Sequence, residues 1–397
     1  MINYKEAQQQ ILLLAKPLQT ETISLDDAYG RVLAETIIAD RDYPPFNRAT
    51  MDGYAIRFED FNEGLRTYSV VSTIYAGQQN SVILLPGECY KIMTGASIPS
   101  HADVVIRKEE TEATQHLVTI KSNACNYFQN IAKQGEDIKY NAVITDTNII
   151  CTPAVISVLA ALGRYKVSVK KFPKVSVFTT GNEIVPVNTA KISTVQIRNS
   201  NQYLLKNLLL EWNINPPICE HVKDDKVALT KAFSNALDSD IIIVNGGVSA
   251  GDADYVPEIL INIGVNMLFH KVAIRPGKPF WCGQLPNGGI VFALPGNPFS
   301  CMVTFNLFIK PYLTACLGLP QKPFMQLPLL DIKRKKVSLD EFFPVQFQDN
   351  PVGLKPCGFN TSGDIKASLF ADGIALHPSG METLEKDFLT DYLPFRS

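Results

Sequence analysis

The sequence predicts a multidomain α/β plus β protein. It comprises a central doubly wound αβ domain, an inserted small β domain, a mixed helical linker domain and a C-terminal small β-barrel-like domain. Three observations predict it. From Pro173 onward, apolar runs such as KVSVFTT and DIIIV alternate with helical segments of about 15 residues, the pattern of right-handed crossovers and a parallel sheet. Between residues 66 and 126, Val, Ile, Thr and Tyr dominate in short runs separated by turn residues. After Pro320 the composition turns to β again. The expected boundaries are 1–45 with 138–172 for the linker domain, 46–137 for the insert, 173–322 for the αβ domain and 323–397 for the tail. With 397 residues and a 46% hydrophobic fraction, several cores can be buried.

Residues 4–16 carry Ala7, Ile11 and Leu14 at helical core spacing, and SLDDAYGRVLAETIIAD predicts a second helix running into a strand. In YPPFNRATMDGYAIR two prolines make an extended entry, and Asp52-Gly53 reads as a turn into a strand. The β-rich insert places Thr94-Gly95-Ala96 at a turn, and GEDIKYN offers Glu136 and Asp137 in a tight segment. TPAVISVLAALG is a helix capped by Thr152 with Pro153 at its first position. IRNSNQYLLKNLLLEW is a helix opened by Asn199 or Ser200, and VKDDKVALTKAFSNAL one opened by Asp224 or Asp225. In the tail, the Lys333–Lys336 run reads as a solvated edge, and Ser362-Gly363-Asp364 closes the module.

The chemistry concentrates between Asp240 and Ser300. Ile241 to Val244 predict a strand buried on both faces. It runs into Gly246, Gly247 and Gly251, with Ser249, Asp252 and Asp254 among them, before a helix over Tyr255–Ile263 whose first turn admits Pro257. A Gly-rich loop leading to a helix start suits an oxyanion. GxGxxG is absent, and the P-loop pattern fails because Asp252 stands where Lys belongs. A loop with two carboxylates needs a hard divalent cation, with Mg²⁺ the simplest, to hold phosphate oxygens, unless the two aspartates serve as helix caps. Lys271, Arg275 and Lys278 bring the opposite charge. Lys271, Ala273 and Arg275 alternate with Val272 and Ile274, so in a strand they share a face. Pro295, Gly296 and Pro298 fix a turn after IVFAL, and Asn297 to Ser300 start the next helix. Glu183, Asp252, Asp254 and the LPGNP turn all follow predicted strand ends, where parallel sheets bind ligands.

Bulk properties narrow the classes. A net charge of −2, from 37 basic and 39 acidic residues, argues against a dedicated nucleic-acid or anionic-membrane binder. The eight cysteines are never closer than 15 residues, so no CxxC motif exists, and they fit reduced, buried thiols. MINYKEAQQQ lacks a basic start, ILLLA is short for a signal peptide, and the apolar run around Ala154–Leu162 is broken by Ser157. The expectation is a soluble cytoplasmic protein.

The ordered blocks PPFNRATMDGYA, KIMTGASIPSHADVV, GEDIK, TTGNEIV, IRNSNQYLL, NGGVSAGDADY, KVAIRPGKPF and LPGNPFSCMVTF resemble the molybdopterin molybdenumtransferase (MoeA) family, which includes the E-domain of gephyrin. The resemblance covers essentially the whole chain. It implies an enzyme that takes adenylylated molybdopterin and molybdate and releases molybdenum cofactor and AMP in a divalent-metal-dependent step. It also implies an elongated homodimer with a composite cleft. Glu183, Asp224 and Asp254 would surround the substrate and metal, while Asp52, Asp137 and Thr94 would enter from the second copy. Arg275 and Lys278, with Ser300 after the LPGNP turn of Pro295 and Pro298, match positions proposed to hold molybdate. Lys271 and Ser249, next to Gly246 and Gly247, would contact the phosphates or the pterin side, and Ser362 keeps the tail's serine-glycine feature. An upstream molybdopterin adenylyltransferase and recipient molybdoenzyme chaperones are the implied partners. The chain departs from the family pattern at Ala49, Lys91, His101 and Ala132, and at Asn245, where Ser or Thr is expected. An adenylyltransferase and a gephyrin-like scaffold are the alternative functions.

Overall fold

The computed structural model describes residues 1–78, 82–248 and 255–395. The chain divides into two compact units, one of residues 1–34, 148–157 and 165–397 and the other of residues 35–147 and 158–164. Among the described residues no helix is long and apolar enough to cross a membrane.

The larger unit is built on a six-stranded sheet in the order Ile218–Val222, Val175–Thr180, Ile241–Asn245, Ile290–Leu294, Trp281–Gln284, Asn266–His270. The first four strands are parallel, and Trp281–Gln284 pairs antiparallel with both Ile290–Leu294 and Asn266–His270. Every residue of Ile241–Asn245 and Ile290–Leu294 is buried because both faces are covered. Ile241, Ile243, Phe292 and Leu294 point to one core, shared with Leu205 and Leu209 of helix Asn201–Leu210 and with Phe305 and Phe308. Ile242, Val244, Val291 and Ala293 point to the other, against Leu229 and Phe233 of helix Lys226–Ser234 and Ile259 and Leu260 of helix Val256–Asn262. The N-terminal helix Tyr4–Leu12 is capped by Asn3 and adds Tyr4, Ala7 and Ile11 to the first core.

Three local expectations change. Only one 3₁₀ turn, Leu25–Asp27, forms in the segment predicted to be a second helix. Gly30 turns the chain at φ +72°, and Val32 and Leu33 bridge to Ile150 and Val169, so cross-chain partners outcompete local helix pattern. The Lys271–Arg275 run is not one strand. Lys271 lies at φ +71°, and only Ile274–Arg275 is extended, pairing in parallel with Asp340–Glu341 of the C-terminal sheet. That sheet runs Ile274–Arg275, Asp340–Asp349, Gly373–His377, Leu389–Pro394, Met325–Pro328. The Lys333–Lys336 run is not a solvated edge either. Lys335 is buried and its Nζ donates to the carbonyls of Leu339 (2.7 Å), His377 (2.9 Å) and Pro378 (2.6 Å), while Lys333 pairs with buried Glu341 at 3.1 Å.

His377 is fully buried beside this cluster, edge-on to Phe343, and neither ring nitrogen has a partner. Burial, with the Lys335 ammonium nearby, pushes its pKa down to about 4. An unfolded histidine protonates near 6.5, so the unfolded chain binds the extra proton between those values and stability falls as pH drops through that window. Between pH 7 and pH 5 this one group is expected to remove about 2 kcal/mol. Urea midpoints at the two pH values would measure it, and the slope should flatten in His377→Phe.

In the smaller unit, six strands run in the order Val104–Arg107, Gly53–Ile56, Glu88–Ile92, Thr67–Ile74, Leu117–Ile120, Thr111–Ala113. The sheet carries one apolar cluster with Ala55, Tyr90 and Val105 and another with Tyr54, Ile56, Val104 and Ile106. Five of the eight free cysteines are buried, and burial holds the thiols of Cys282 and Cys301 well above the usual range, so these two stay protonated.

Candidate active site

A cavity of about 880 Å³ opens at the carboxyl ends of the parallel strands, lined by Glu183, Asp224, Gly246, Gly247, Pro295 and Pro298 among others. Each of the six was expected at a ligand site. Strand Val175–Thr180 leads into the Gly181–Glu183 turn. Asn182 Oδ1 accepts the N–H of Asp224 at 3.2 Å, which ties this turn to the loop before helix Lys226–Ser234. Asp225, not Asp224, caps that helix, accepting the Ala228 N–H at 2.8 Å. Asp224 therefore lines the cavity with Glu183 as a second hard oxygen donor. Among the described residues no group of three His, Cys, Asp or Glu side chains is close enough to hold a metal unaided.

The floor is backbone. Gly246 donates its N–H to Leu294 O at 3.0 Å and sits at φ +100°, and Gly247 follows at φ +65°. A Cβ on Gly246 would meet Thr180 O at 2.7 Å. Only glycine lets the chain pass this close to the neighbouring strand.

The Pro295–Pro298 turn joins strand Ile290–Leu294 to helix Pro298–Thr304 and forms another wall. Asn297 Nδ2 donates to Ser362 Oγ at 2.7 Å, and Phe299 N–H to Ser362 O at 3.2 Å, so the tail serine is seated on this turn. Gly363 and Ile365 then reach the cavity. Ser300 is buried within the helix and is not among the lining residues. Lys271, Arg275 and Lys278 stand on a separate turn closed by Lys271 N–H to Phe280 O and Val272 N–H to Lys278 O, both 2.9 Å. Pro279 of this turn lines the cavity, whereas the three basic side chains do not. Arg275 and Lys278 are exposed.

In the smaller unit Asp52 and Thr94 come together. One Asp52 oxygen accepts both the N–H and the hydroxyl of Thr94 at 2.8 Å. The Thr94 N–H first, and then its hydroxyl, hold this carboxylate below its ordinary pKa. Asp137 is exposed in the turn after Gly135. Ser249, Asp252 and Asp254 lie outside the described residues.

Sequence reasoning missed the polar lining. Arg198 reaches the cavity while its Nη2 donates to Thr189 O at 3.0 Å. Thr179, Thr180, Asn199, Asn201 and Asn245 line it as well. The available signals were a lone basic residue just before a helix start and an unusual Asn before the glycine pair.

Fold and cavity together define a multidomain α/β protein whose central sheet offers a ligand crevice at its carboxyl edge. The family model described as MoeA N-terminal region (domain I and II) matches residues 2–163, and that described as probable molybdopterin binding domain matches residues 176–315. Curated relatives named molybdopterin molybdenumtransferase, from Staphylococcus epidermidis and Staphylococcus aureus, are each 32% identical over 403 aligned positions, covering 99% of this chain and 95% of theirs. The solved molybdopterin biosynthesis MoeA protein of Pyrococcus horikoshii is 28% identical with a TM-score of 0.84, over 99% of this chain and 100% of that one. The chain belongs to the molybdopterin molybdenumtransferase (MoeA) family.

Proposed function

We propose that this protein is a transferase of molybdenum-cofactor biosynthesis that inserts molybdenum into adenylylated molybdopterin and releases AMP. One observation carries the reading. In a chain of this family, two carboxylates, a glycine-pair turn and the Pro295–Pro298 turn converge on one cavity. Breaking the phosphoanhydride between pterin and AMP requires that charge at the pyrophosphate be neutralised and held by preorganised donors. The Gly246 N–H is taken by Leu294 O, so the backbone N–H of Gly247 beside it is our candidate for such a donor. Glu183 and Asp224, with Asp254, would hold a divalent cation such as Mg²⁺, which would neutralise phosphate oxygens there.

Molybdate is a tetrahedral dianion, and Arg275 and Lys278, with Ser300 and Ser362 near the LPGNP turn, are our candidates to bind it. Lys271 and Ser249 are candidates for the phosphate or pterin side. We assign Asp52, Thr94 and Asp137 to the same cleft from a second copy in a homodimer. A molybdopterin adenylyltransferase would supply the substrate, and molybdoenzyme chaperones would receive the product.

The test is single-turnover AMP release from adenylylated molybdopterin with molybdate and Mg²⁺. Release should depend on molybdate. It should be lost in Asp254→Ala and fall about 100-fold in Arg275→Ala, since a charge-assisted donor to an oxyanion is worth that much. Full activity in Asp254→Ala would sink the assignment, and pyrophosphate exchange without AMP release would favour an adenylyltransferase.

A further inference from the structure

We propose that Asn201 and Asn245 act as one positioning device, turning the backbone N–H groups of Gly296 and Asn297 toward the cavity as a pair of anion donors. Asn245 Nδ2 donates to Pro295 O at 2.8 Å, and Asn245 Oδ1 accepts from Asn201 Nδ2 at 2.8 Å. Asn201 Nδ2 also donates to Gly296 O at 2.6 Å. Two side-chain amides thus grip two successive carbonyls of the Pro295–Pro298 turn from below. Both asparagines are buried, at 3% exposure for Asn245 and 9% for Asn201.

A trans peptide directs its N–H opposite to its C=O. Neither of these two peptides is cis. With the carbonyls of Pro295 and Gly296 held against buried amides, the N–H groups of Gly296 and Asn297 face the other way, and both residues line the cavity. The following residue, Pro298, has no N–H, so the donors form an isolated pair. Thr180 Oγ1 and Asn201 Oδ1, in side chains at least nine-tenths buried, have no hydrogen-bond partner, and both residues line the same cavity.

The device depends on the Asn245 amide. A serine or threonine at that place carries a shorter side chain with a single hydroxyl, so it grips the turn less firmly than an amide spanning Asn201 and Pro295. The role assigned to Asn201 and Asn245 is positioning. They act through the turn.

The inference rests on the proposed reaction for its kinetic readout only. Asn201→Ala, Asn245→Ala and the double variant are compared with the wild-type full chain by calorimetric titration with inorganic phosphate, and by the molybdate concentration for half-maximal AMP release. Each single variant should weaken phosphate binding about tenfold, the scale of one or two lost hydrogen bonds. The double variant should lose no more than either single, because the two amides form one device. Asn245→Thr should recover part of the loss, and the maximal AMP-release rate should change less than the half-saturating molybdate concentration. Multiplying losses in the double variant, unchanged phosphate affinity in soluble folded single variants, or no phosphate binding by the wild type would each overturn the inference. If the alanine variants do not fold, Asn245→Thr alone decides it: weaker phosphate binding supports the device and equal binding overturns it. A wild type that binds phosphate but releases no AMP would instead overturn the reaction assignment.

Discussion

Under the proposed reaction, alanine in place of Gly246 is expected to reduce AMP release by about 100-fold or more, the effect of displacing the cavity floor by about an ångström. The backbone there sits at φ +100°, which L-residues rarely adopt, and the added carbon would lie 2.7 Å from Thr180 O and 2.9 Å from Thr180 Oγ1. Thr180 O is backbone at the end of a buried strand, so it has no rotamer by which to retreat. The glycine turn must lift instead, toward the cavity that Gly246 lines together with Pro295 and Pro298. Strained φ and overpacking together should also lower stability by about 2–4 kcal/mol. Gly358→Ala is the control, since nothing lies within 4 Å of a Cβ there and φ is not positive. It should stay within about 0.5 kcal/mol of wild type. Wild-type turnover in Gly246→Ala would mean that the floor does not contact substrate.

Lys335→Met is expected to destabilise the C-terminal sheet by about 3 kcal/mol or more, because three carbonyls lose a charged donor while methionine fills the same volume. All three ammonium hydrogens of Lys335 are used, on Leu339, His377 and Pro378. Burial lowers the lysine's pKa, with Asp340 and Glu341 opposing that shift. Urea unfolding would measure the loss, and a change under about 1 kcal/mol would show that water replaces the ammonium at little cost. Activity should fall with stability, since Arg275 pairs in register with Glu341.

What could be read beforehand follows from where the physical information sits. Strands Ile241–Asn245 and Ile290–Leu294 were legible because covering both faces demands unbroken apolar runs. Helix Asn201–Leu210 was legible from its leucine spacing, and the turns at Gly246 and Pro295 from residue types that only special backbone geometry requires. The segment after Leu25 was not, because its apolar residues are satisfied by Ile150 and Val169, more than a hundred residues away. Lys335 was misread for a related reason, since carbonyl acceptors are written in no residue type. The asparagine pair was invisible because its members are 44 positions apart and grip a turn 50 positions further on.

The two-residue strand Ile274–Arg275 carries one more meaning. It leaves the central unit's own sheet and is stitched into the tail's sheet against Asp340–Glu341. The tail is therefore not a cassette that recombination can exchange at a linker near residue 322. A crossover there would separate Arg275 from the strand it pairs with. Exchange between relatives keeps its sense only if residues 271–280 travel with 325–395, two stretches far apart in the gene that must be inherited together.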